Sequence, residues 1–456
     1  MKKRFLLTAL VLVLSVSVSG CSVVFSPEVS SDKSVVSEQQ ESSSSAESSD
    51  EESSESVSSE EVYESEISNQ ESSEVSVISS SSGSPWDDIP FPQTSHFRVP
   101  DPDTSQVEDL DKKYFVNRLS REMLYFFCKL YNAAKNYEND VSFERTLDED
   151  EMDTLMYLLN YECPELIHLS GDYYPHYDAD ETTKYRGVGF IYCIPKEEYD
   201  SSRKQLDDYF SKLQKTLDGK TELEKEKYVY DTLFYNCIYD ETMSHSGSAY
   251  GSLIENVGRC EALSKGFTWC MRKLDIECLC VSGTPLWNPN SLYSEHSWNI
   301  VKINDEWYHV DITTDNVQLD SLKENLPDYG FFNASDRMIA DNREIRESFV
   351  RLGIPVCSSE TLNYHIMNNQ FLASDRADED HFDSILLSHL SEDGIKALSV
   401  KFENQADYEY ARDRIEEWTR SFLEANSDRD FIFNTYYNKL SRTIVTDVSF
   451  TDNAEG

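Results

Sequence analysis

The stretch SAYGSLIENVGRCEALSKGF, residues 248–267, places a single cysteine between a turn and an apolar-periodic run. Asn256 and Gly258 are turn formers, and the segment CEALSKGFTWCMRKLD that follows predicts a helix ending at Asp275. Cys260 then lies in the first turn of the helix, where unpaired N–H groups and the helix dipole stabilise a thiolate. Such a cysteine is a candidate nucleophile, although an inert buried thiol is the commoner outcome for a cysteine in this context.

A base for that thiol, and a residue to orient the base, follow in EHSWNIVKINDEWYHVDIT, residues 295–313. The pattern predicts two strands joined by a two-residue turn at Asn304 and Asp305. In that register His296 and Asp311 lie diagonally on one face of the hairpin, close enough for an imidazole to reach a carboxylate. A shift of one residue would place them on opposite faces, so the prediction depends on the turn length.

The sequence alone leaves other interpretations of these residues open. His309 is a rival base, since it shares the face with Asp311 but lies deeper in the hairpin. Asp311 can also be explained as the cap of a turn. Cys278 and Cys280 lie on one face of a predicted strand, and two buried thiols explain them more simply than a metal-binding pair.

Four blocks occur in order: the opening stretch, then IECLCVSG, HSWNIVKINDEWYHVDIT and FFNASD. Together they resemble the bacterial branch of the transglutaminase-like superfamily over about residues 225–370. The resemblance implies an α+β, papain-like core in which the cysteine-bearing helix packs on an antiparallel sheet. It implies that Cys260 is the nucleophile, His296 the general base and acid, and Asp311 the residue that orients the histidine. It also implies that Tyr250, in the AYG block, assists the oxyanion.

The chain departs from the family pattern at two places. Ala262, Leu263 and Ser264 follow Cys-Glu where the family often has Gly-Tyr-Ala, and Thr314 stands where a tryptophan is usual. Neither change removes a member of the Cys-His-Asp set. We interpret them as changes in packing around the site that bear on substrate specificity.

The N-terminus is typical of a targeting signal, with a basic MKKRF followed by the apolar run LLTALVLVLSVSV. This run is too short to span a bilayer comfortably. It ends in VSGC, which resembles the lipobox of bacterial lipoproteins and implies that Cys21 becomes the lipidated N-terminal residue. An ordinary secretory signal and a transmembrane anchor are the alternatives.

The next segment, for example ESSSSAESSDEESSESVSSEE, is rich in Ser and Glu and has few aromatic residues. It cannot bury enough apolar surface to offset its ordering entropy, so we predict a disordered tether. The predicted organisation is a signal peptide and lipobox, the tether, a mixed α/β N-terminal accessory module, the transglutaminase-like domain and an α+β C-terminal extension, at residues 1–21, 22–105, 106–217, 218–370 and 371–456.

The C-terminal extension contains apolar residues at alternating steps of three and four. They predict one further amphipathic helix, whose buried face would comprise Tyr408, Ala411, Ile415, Trp418 and Phe422. The segment RTIVTDVSF predicts a final strand.

The sequence therefore predicts a lipid-anchored thiol enzyme on the extracytoplasmic face of a bacterial membrane, acting on protein or cell-wall peptide amides through a thioester. Water as acceptor makes it a peptidase or amidase, and an amine makes it an acyltransferase. The alternative is a catalytically inactive surface binding or scaffold module that retains the core. The formal net charge of −44 disfavours a nucleic-acid partner, and we predict no cofactor or metal.

Overall fold

The structure, a computed structural model, describes residues 99–179, 181, 183–286, 295–315 and 327–451. The strands in this part of the chain are, in order, β1 (Asp140–Leu147), β2 (Leu169–Tyr177), β3 (Tyr185–Tyr192), β4 (Ile238–Tyr239), β5 (Val257–Gly258), β6 (Cys278–Pro285), β7 (His296–Ile303), β8 (Glu306–Val310), β9 (Arg343–Ile345), β10 (Phe371–Leu372), β11 (Gly394–Phe402), β12 (Asp430–Asn438) and β13 (Thr443–Thr451).

The α-helices for which we use labels are α1 (Arg121–Lys135), α2 (Glu149–Tyr161), α3 (Lys196–Thr216), α4 (Glu222–Asn236), α5 (Cys260–Lys273), α6 (Asp336–Ile339), α7 (Glu347–Arg351), α8 (Tyr364–Met367), α9 (Glu379–His389), α10 (Gln405–Arg412) and α11 (Ile415–Asn426). A π-helical turn, Gly251–Glu255, precedes α5. A further helical turn covers residues 312–315, directly after β8.

The central sheet has four antiparallel strands in the order β8-β7-β6-β9. In the β7–β8 hairpin Ile303 pairs with Glu306, and Ile300 pairs with His309. Asn304 and Asp305 both have positive φ, 51° and 67°, as a two-residue type I′ turn requires. The predicted turn and register are therefore confirmed.

Helix α5 is buried along nearly its whole length and packs on β6 and β7. Its amphipathic pattern alone would leave a solvent face, but α4 and the π-helical turn cover the other side. Gly266 permits the close approach of that turn, because an added Cβ would lie 2.4 Å from Ser252 Oγ. The predicted helix start at Cys260 and the predicted packing on an antiparallel sheet are confirmed.

Residues 121–192 form a second arrangement of helices and sheet. Strands β1, β3 and β2 make an antiparallel sheet in that order, and α1 and α2 pack together beside it. Val99 and Val107 belong to the same apolar core, so ordered packing starts before residue 106.

The C-terminal region places a sheet of order β10-β11-β13-β12 against α9, α10 and α11. One prediction here is wrong: the expected single helix is two, because the chain leaves helical geometry at Arg414 (φ −129°, ψ −16°). The five residues predicted to form its buried face are nevertheless all buried. Apolar periodicity reports which residues face the core, and a break that keeps the face in phase does not disturb it.

All the described residues belong to one compact unit, and the boundaries predicted at 217/218 and 370/371 stay predictions. The predicted signal peptide, Cys21 and residues 22–98 of the predicted tether lie outside the described residues. No helix of the described part is both long and apolar enough to cross a membrane.

Candidate active site

Cys260 is the first residue of α5 and is 1% exposed. Arg259 precedes the helix without a side-chain cap, so no side chain of the N-cap competes for the first amide N–H groups. The helix dipole and these N–H groups favour negative charge at this position. The local structure therefore supports a thiolate at Cys260.

His296 begins strand β7 and is 2% exposed. Its Nε2 donates to Oδ2 of Asp311 at 2.7 Å, and the ring also forms a hydrogen bond with the side chain of Cys260. Since Nε2 is committed to the carboxylate, Nδ1 is the ring nitrogen left for the thiol. The structure thus brings Cys260, His296 and Asp311 together.

Asp311 follows β8, is 1% exposed and accepts from several donors. Its Oδ1 accepts from the backbone N of Thr314 (3.1 Å), and its Oδ2 accepts from the Thr314 hydroxyl (2.6 Å). The guanidinium of Arg343 also donates to Oδ2. Asp311 therefore both caps the turn of residues 312–315 and holds His296, so the two roles considered for it are compatible.

The charges of the site support an ion pair between imidazole and carboxylate. Burial would lower the pKa of His296, but Asp311 and then Cys260 outweigh it and raise that pKa to about 9. Burial would likewise raise the pKa of Asp311, but His296 and Arg343 hold it well below its usual range. At neutral pH the histidine is therefore an imidazolium beside a carboxylate.

Glu261, the residue after Cys260, carries a second buried carboxylate, and its charge is compensated locally. Its oxygens lie 2.7 Å from Lys265 Nζ and 2.7 Å from Arg259 Nη2. Burial raises the pKa of the Glu261 carboxyl, but the ion pairs with Lys265 and Arg259 prevail and lower it to about 2. The two cations limit the repulsion that Glu261 would exert on a neighbouring thiolate.

A hydrogen-bonded chain links the thiol to helix α2, about one hundred residues earlier in the chain. Cys260 Sγ lies 3.9 Å from Ser297 Oγ, and the Ser297 hydroxyl lies 3.3 Å from the hydroxyl oxygen of Tyr161 on α2. Tyr161 is itself buried. The three candidate side chains are also buried, so the thiol has almost no exposure to solvent in this structure.

Tyr250 lies just before the π-helical turn and is buried. Its hydroxyl donates to Oε1 of Gln205 on α3 at 3.2 Å, and its ring packs edge-on against His245. In this state the hydroxyl proton is directed to α3. The oxyanion role of Tyr250 stays a prediction.

His309, the rival base, has a different environment. Its Nδ1 accepts from Trp298 Nε1 (3.1 Å), and its Nε2 faces Oδ1 of Asp336 (2.9 Å). Burial lowers the pKa of His309, and the opposing effect of Asp336 is smaller. His309 is therefore neutral and packed behind the site, with no hydrogen bond to Cys260 among those of the described residues.

His309, Asp336 and Cys357 form the one cluster of metal-ligand type found in the described part of the chain, with atoms within 4.8 Å of one another. The indole N–H of Trp298 only donates, so Nδ1 of His309 must accept and Nε2 must carry the proton. A protonated nitrogen has no lone pair for a metal. Hydrogen bonding accounts for this cluster without an ion.

The nine cysteines of the described residues are all free thiols. Burial raises the pKa of the other eight thiols, for example that of Cys128 to about 11 and that of Cys237 to about 12. Cys278 and Cys280 face Val301 and Asn299 across the sheet and are buried. These surroundings agree with the simpler interpretation of the pair as two buried thiols.

Two residues that donate hydrogen bonds to Asp311 were not predicted from the sequence. Thr314 was interpreted only as a change in packing, yet it donates twice to the carboxylate. Arg343 comes from the short edge strand β9, opposite Pro285. An aspartate that caps a turn accepts from the backbone N–H two or three residues later, and this could have flagged Thr314, but no local signal marks Arg343.

Comparison with known proteins gives one family match. Residues 211–312 match the model of the transglutaminase-like superfamily. None of the curated proteins matches the chain. Among solved structures, the chain is similar to one described as the crystal structure of a TGase, with 11% identity and a TM-score of 0.22, over 38% of this chain and 50% of that chain.

The chain thus spans half the length of that solved relative. The family match runs from within α3 to Ile312 and includes Cys260, His296 and Asp311. The structure therefore has an α+β fold with a helix-on-sheet core, and residues 211–312 of it match the model of the transglutaminase-like superfamily.

Proposed function

We propose that this chain is a thiol enzyme that cleaves or transfers acyl groups at protein or cell-wall peptide amides. The observation that carries the proposal is the position of His296, which contacts both Cys260 and the buried carboxylate of Asp311. This arrangement supplies a nucleophile, an acid–base group and a residue that orients it. The family match supports the same class of chemistry.

In the proposed reaction the Cys260 thiolate attacks the amide carbonyl and forms a C–S bond. His296, protonated at neutral pH, gives its proton to the departing amine as the C–N bond breaks, which leaves a thioester. Water or a second amine then attacks the thioester and gives a proton to His296. The released thiolate and the imidazolium restore the starting state.

The identity of the acceptor decides between hydrolase and transferase. We would incubate the protein with a glutamine-containing peptide and a labelled primary amine, and measure ammonia and incorporated label together. Release of ammonia with label in the peptide supports a transferase, and release without label supports a hydrolase. The Cys260→Ala variant is the control for both signals.

The burial of the three side chains favours a second candidate function, a surface module that retains the core without catalysis. The two candidates differ in whether Cys260 forms an acyl adduct. An enzyme treated with an activated ester accumulates one acyl group on the Cys260 peptide, seen by mass spectrometry. An inactive module gives no more adduct than the Cys260→Ala variant.

The proposal includes a lipid anchor at Cys21, which rests on the VSGC motif and the preceding apolar run. A lipid attached there would hold the enzyme at the extracytoplasmic face of a bacterial membrane. Metabolic labelling with a radioactive fatty acid tests this directly. Label that persists in the Cys21→Ala variant contradicts the anchor.

A further inference from the structure

Arg343 is a fully buried cation beside the candidate active site. Its Nη1 donates to Asp311 Oδ2, and its Nε donates to Asn342 Oδ1 at 2.8 Å. The guanidinium carbon lies 4.3 Å from the ring centroid of Phe331 and 5.2 Å from that of Trp298. The aromatic rings and the carboxylate together hold the guanidinium in place.

The carboxylate oxygen that Arg343 contacts is the one that His296 uses. Oδ2 of Asp311 accepts from His296 Nε2, from the Thr314 hydroxyl and from Arg343 Nη1. One negative charge is thus shared between an imidazolium and a guanidinium. A second cation on the same oxygen opposes protonation of the imidazole.

We propose that Arg343 is a positioning residue that acts through Asp311: by sharing Oδ2, it limits how firmly the carboxylate holds the proton on His296. This inference rests on the proposed function, in which that proton goes to the leaving amine. A proton held too firmly is a poor general acid near neutral pH, so a cation that weakens its retention favours turnover.

A purely structural role explains the contacts less well. Asp311 keeps three hydrogen bonds without Arg343, two from Thr314 and one from His296. Burying a cation is costly, and here its charge is matched by the Asp311 carboxylate that it shares with His296.

Several charged groups face this site from the surrounding elements. Cys260 approaches His296 from α5, and Asp315 interacts electrostatically with Asp311 from the turn after β8. The charge of Arg343 also reaches His309 on β8. A test must therefore change the charge of Arg343 and leave these groups in place.

The experiment uses the full chain with ¹³C-labelled histidine and follows the protonation of His296 by NMR. The His296→Ala spectrum assigns the resonance. Arg343→Gln keeps a donor for Asp311 but removes the charge, so the pKa of His296 should rise by about one unit. Arg343→Lys keeps the charge and should leave the titration close to wild type.

Arg272→Met is the matched control, because Arg272 is another buried arginine, paired with Glu162 at 3.1 Å. It should lower stability without moving the His296 titration. An unmoved titration in folded Arg343→Gln, or an equal shift in Arg272→Met, overturns the proposal. If Arg343→Gln does not fold, Arg343→Met replaces it, and the pKa of His296 should rise in the same way. A shift in Arg343→Lys as large as that in the neutral variant also contradicts the proposal.

This readout is independent of catalysis. A wild-type protein that forms no acyl adduct at Cys260 contradicts the proposed function, whatever the titrations show. A shift confined to the neutral variants of Arg343 still establishes the electrostatic link. The two ideas can therefore fail separately.

Discussion

The hairpin of β7 and β8 carries two buried histidines that each face a carboxylate, yet they differ in charge. His296 Nε2 lies 2.7 Å from Asp311, and His309 Nε2 lies 2.9 Å from Asp336. The pKa of His296 is raised to about 9, whereas that of His309 is lowered. A neighbouring carboxylate is thus not sufficient to make a histidine an imidazolium.

The second ring nitrogen explains much of the difference. In His309 it accepts from the Trp298 indole, and a proton added there would set two donors against each other. In His296 the second ring nitrogen faces Cys260, and a positive charge on the ring stabilises the Cys260 thiolate. The carboxylates differ too, since Asp336 is 47% exposed and Asp311 only 1%, so water screens the first pair more strongly.

Trp298 contacts both histidines, but the two contacts are of different kinds. Its ring stacks on His296 with the centroids 6.0 Å apart, while its N–H donates to His309. One residue therefore packs on the first imidazole and fixes the tautomer of the second. The comparison predicts that substitutions at equivalent places in the two pairs will have unequal effects.

The largest difference should come from removing each histidine. His296→Ala should lower the rate of acyl transfer by about 10³–10⁴-fold, because it removes the general acid and base. His309→Gln should stay within about threefold of wild type and lose about 1–3 kcal/mol of stability, since it leaves buried groups of Trp298 unpaired. Steady-state rates and urea unfolding measure the two effects. Equal rate losses in the two variants would mean that the base is misassigned.

The carboxylates come next in expected effect. Asp311→Asn should reduce the rate by about 10²–10³-fold. The pKa of His296 should then fall from about 9, because Cys260 alone is left to oppose the effect of burial. The alkaline limb of the pH–rate profile, which marks deprotonation of His296, should move down accordingly.

Asp336→Asn is the matched control for that substitution. It removes a half-exposed carboxylate from the neutral histidine, so neither the rate nor the alkaline limb should change appreciably. A pH–rate profile with the same alkaline limb in wild type and Asp311→Asn would refute the assignment of Asp311.

A smaller effect is expected from Trp298→Phe, which keeps an aromatic ring on His296 but removes the indole N–H. His309 can then accept a second proton, so its pKa should rise. The loss of one buried hydrogen bond should cost about 1 kcal/mol of stability. Histidine NMR titrations measure the first effect and urea unfolding the second. If the pKa of His309 does not move, Trp298 does not control its charge.

Sequence was sufficient where local chemistry determines structure. The turn at Asn304 and Asp305 fixes the hairpin register, and that register alone puts His296 and Asp311 on one face. The start of α5 at Cys260 follows from the turn formers before it. The α+β core follows from these elements and the family resemblance.

Sequence was not sufficient where tertiary packing decides. Arg343 reaches Asp311 from a three-residue edge strand, too short for a periodic signal, and its partner is far away along the chain. Thr314 was visible, but its role depends on the turn that Asp311 caps. The break at Arg414 was hidden because the apolar face continues across it.

The most direct test of the central claim, that His296 activates Cys260, is the pH dependence of Cys260 alkylation by iodoacetamide, followed by mass spectrometry of the Cys260 peptide. We expect a midpoint well below the ordinary thiol pKa of about 8.5 in wild type, and one near that value in His296→Ala. A wild-type midpoint near the ordinary value that does not change in His296→Ala would contradict the account.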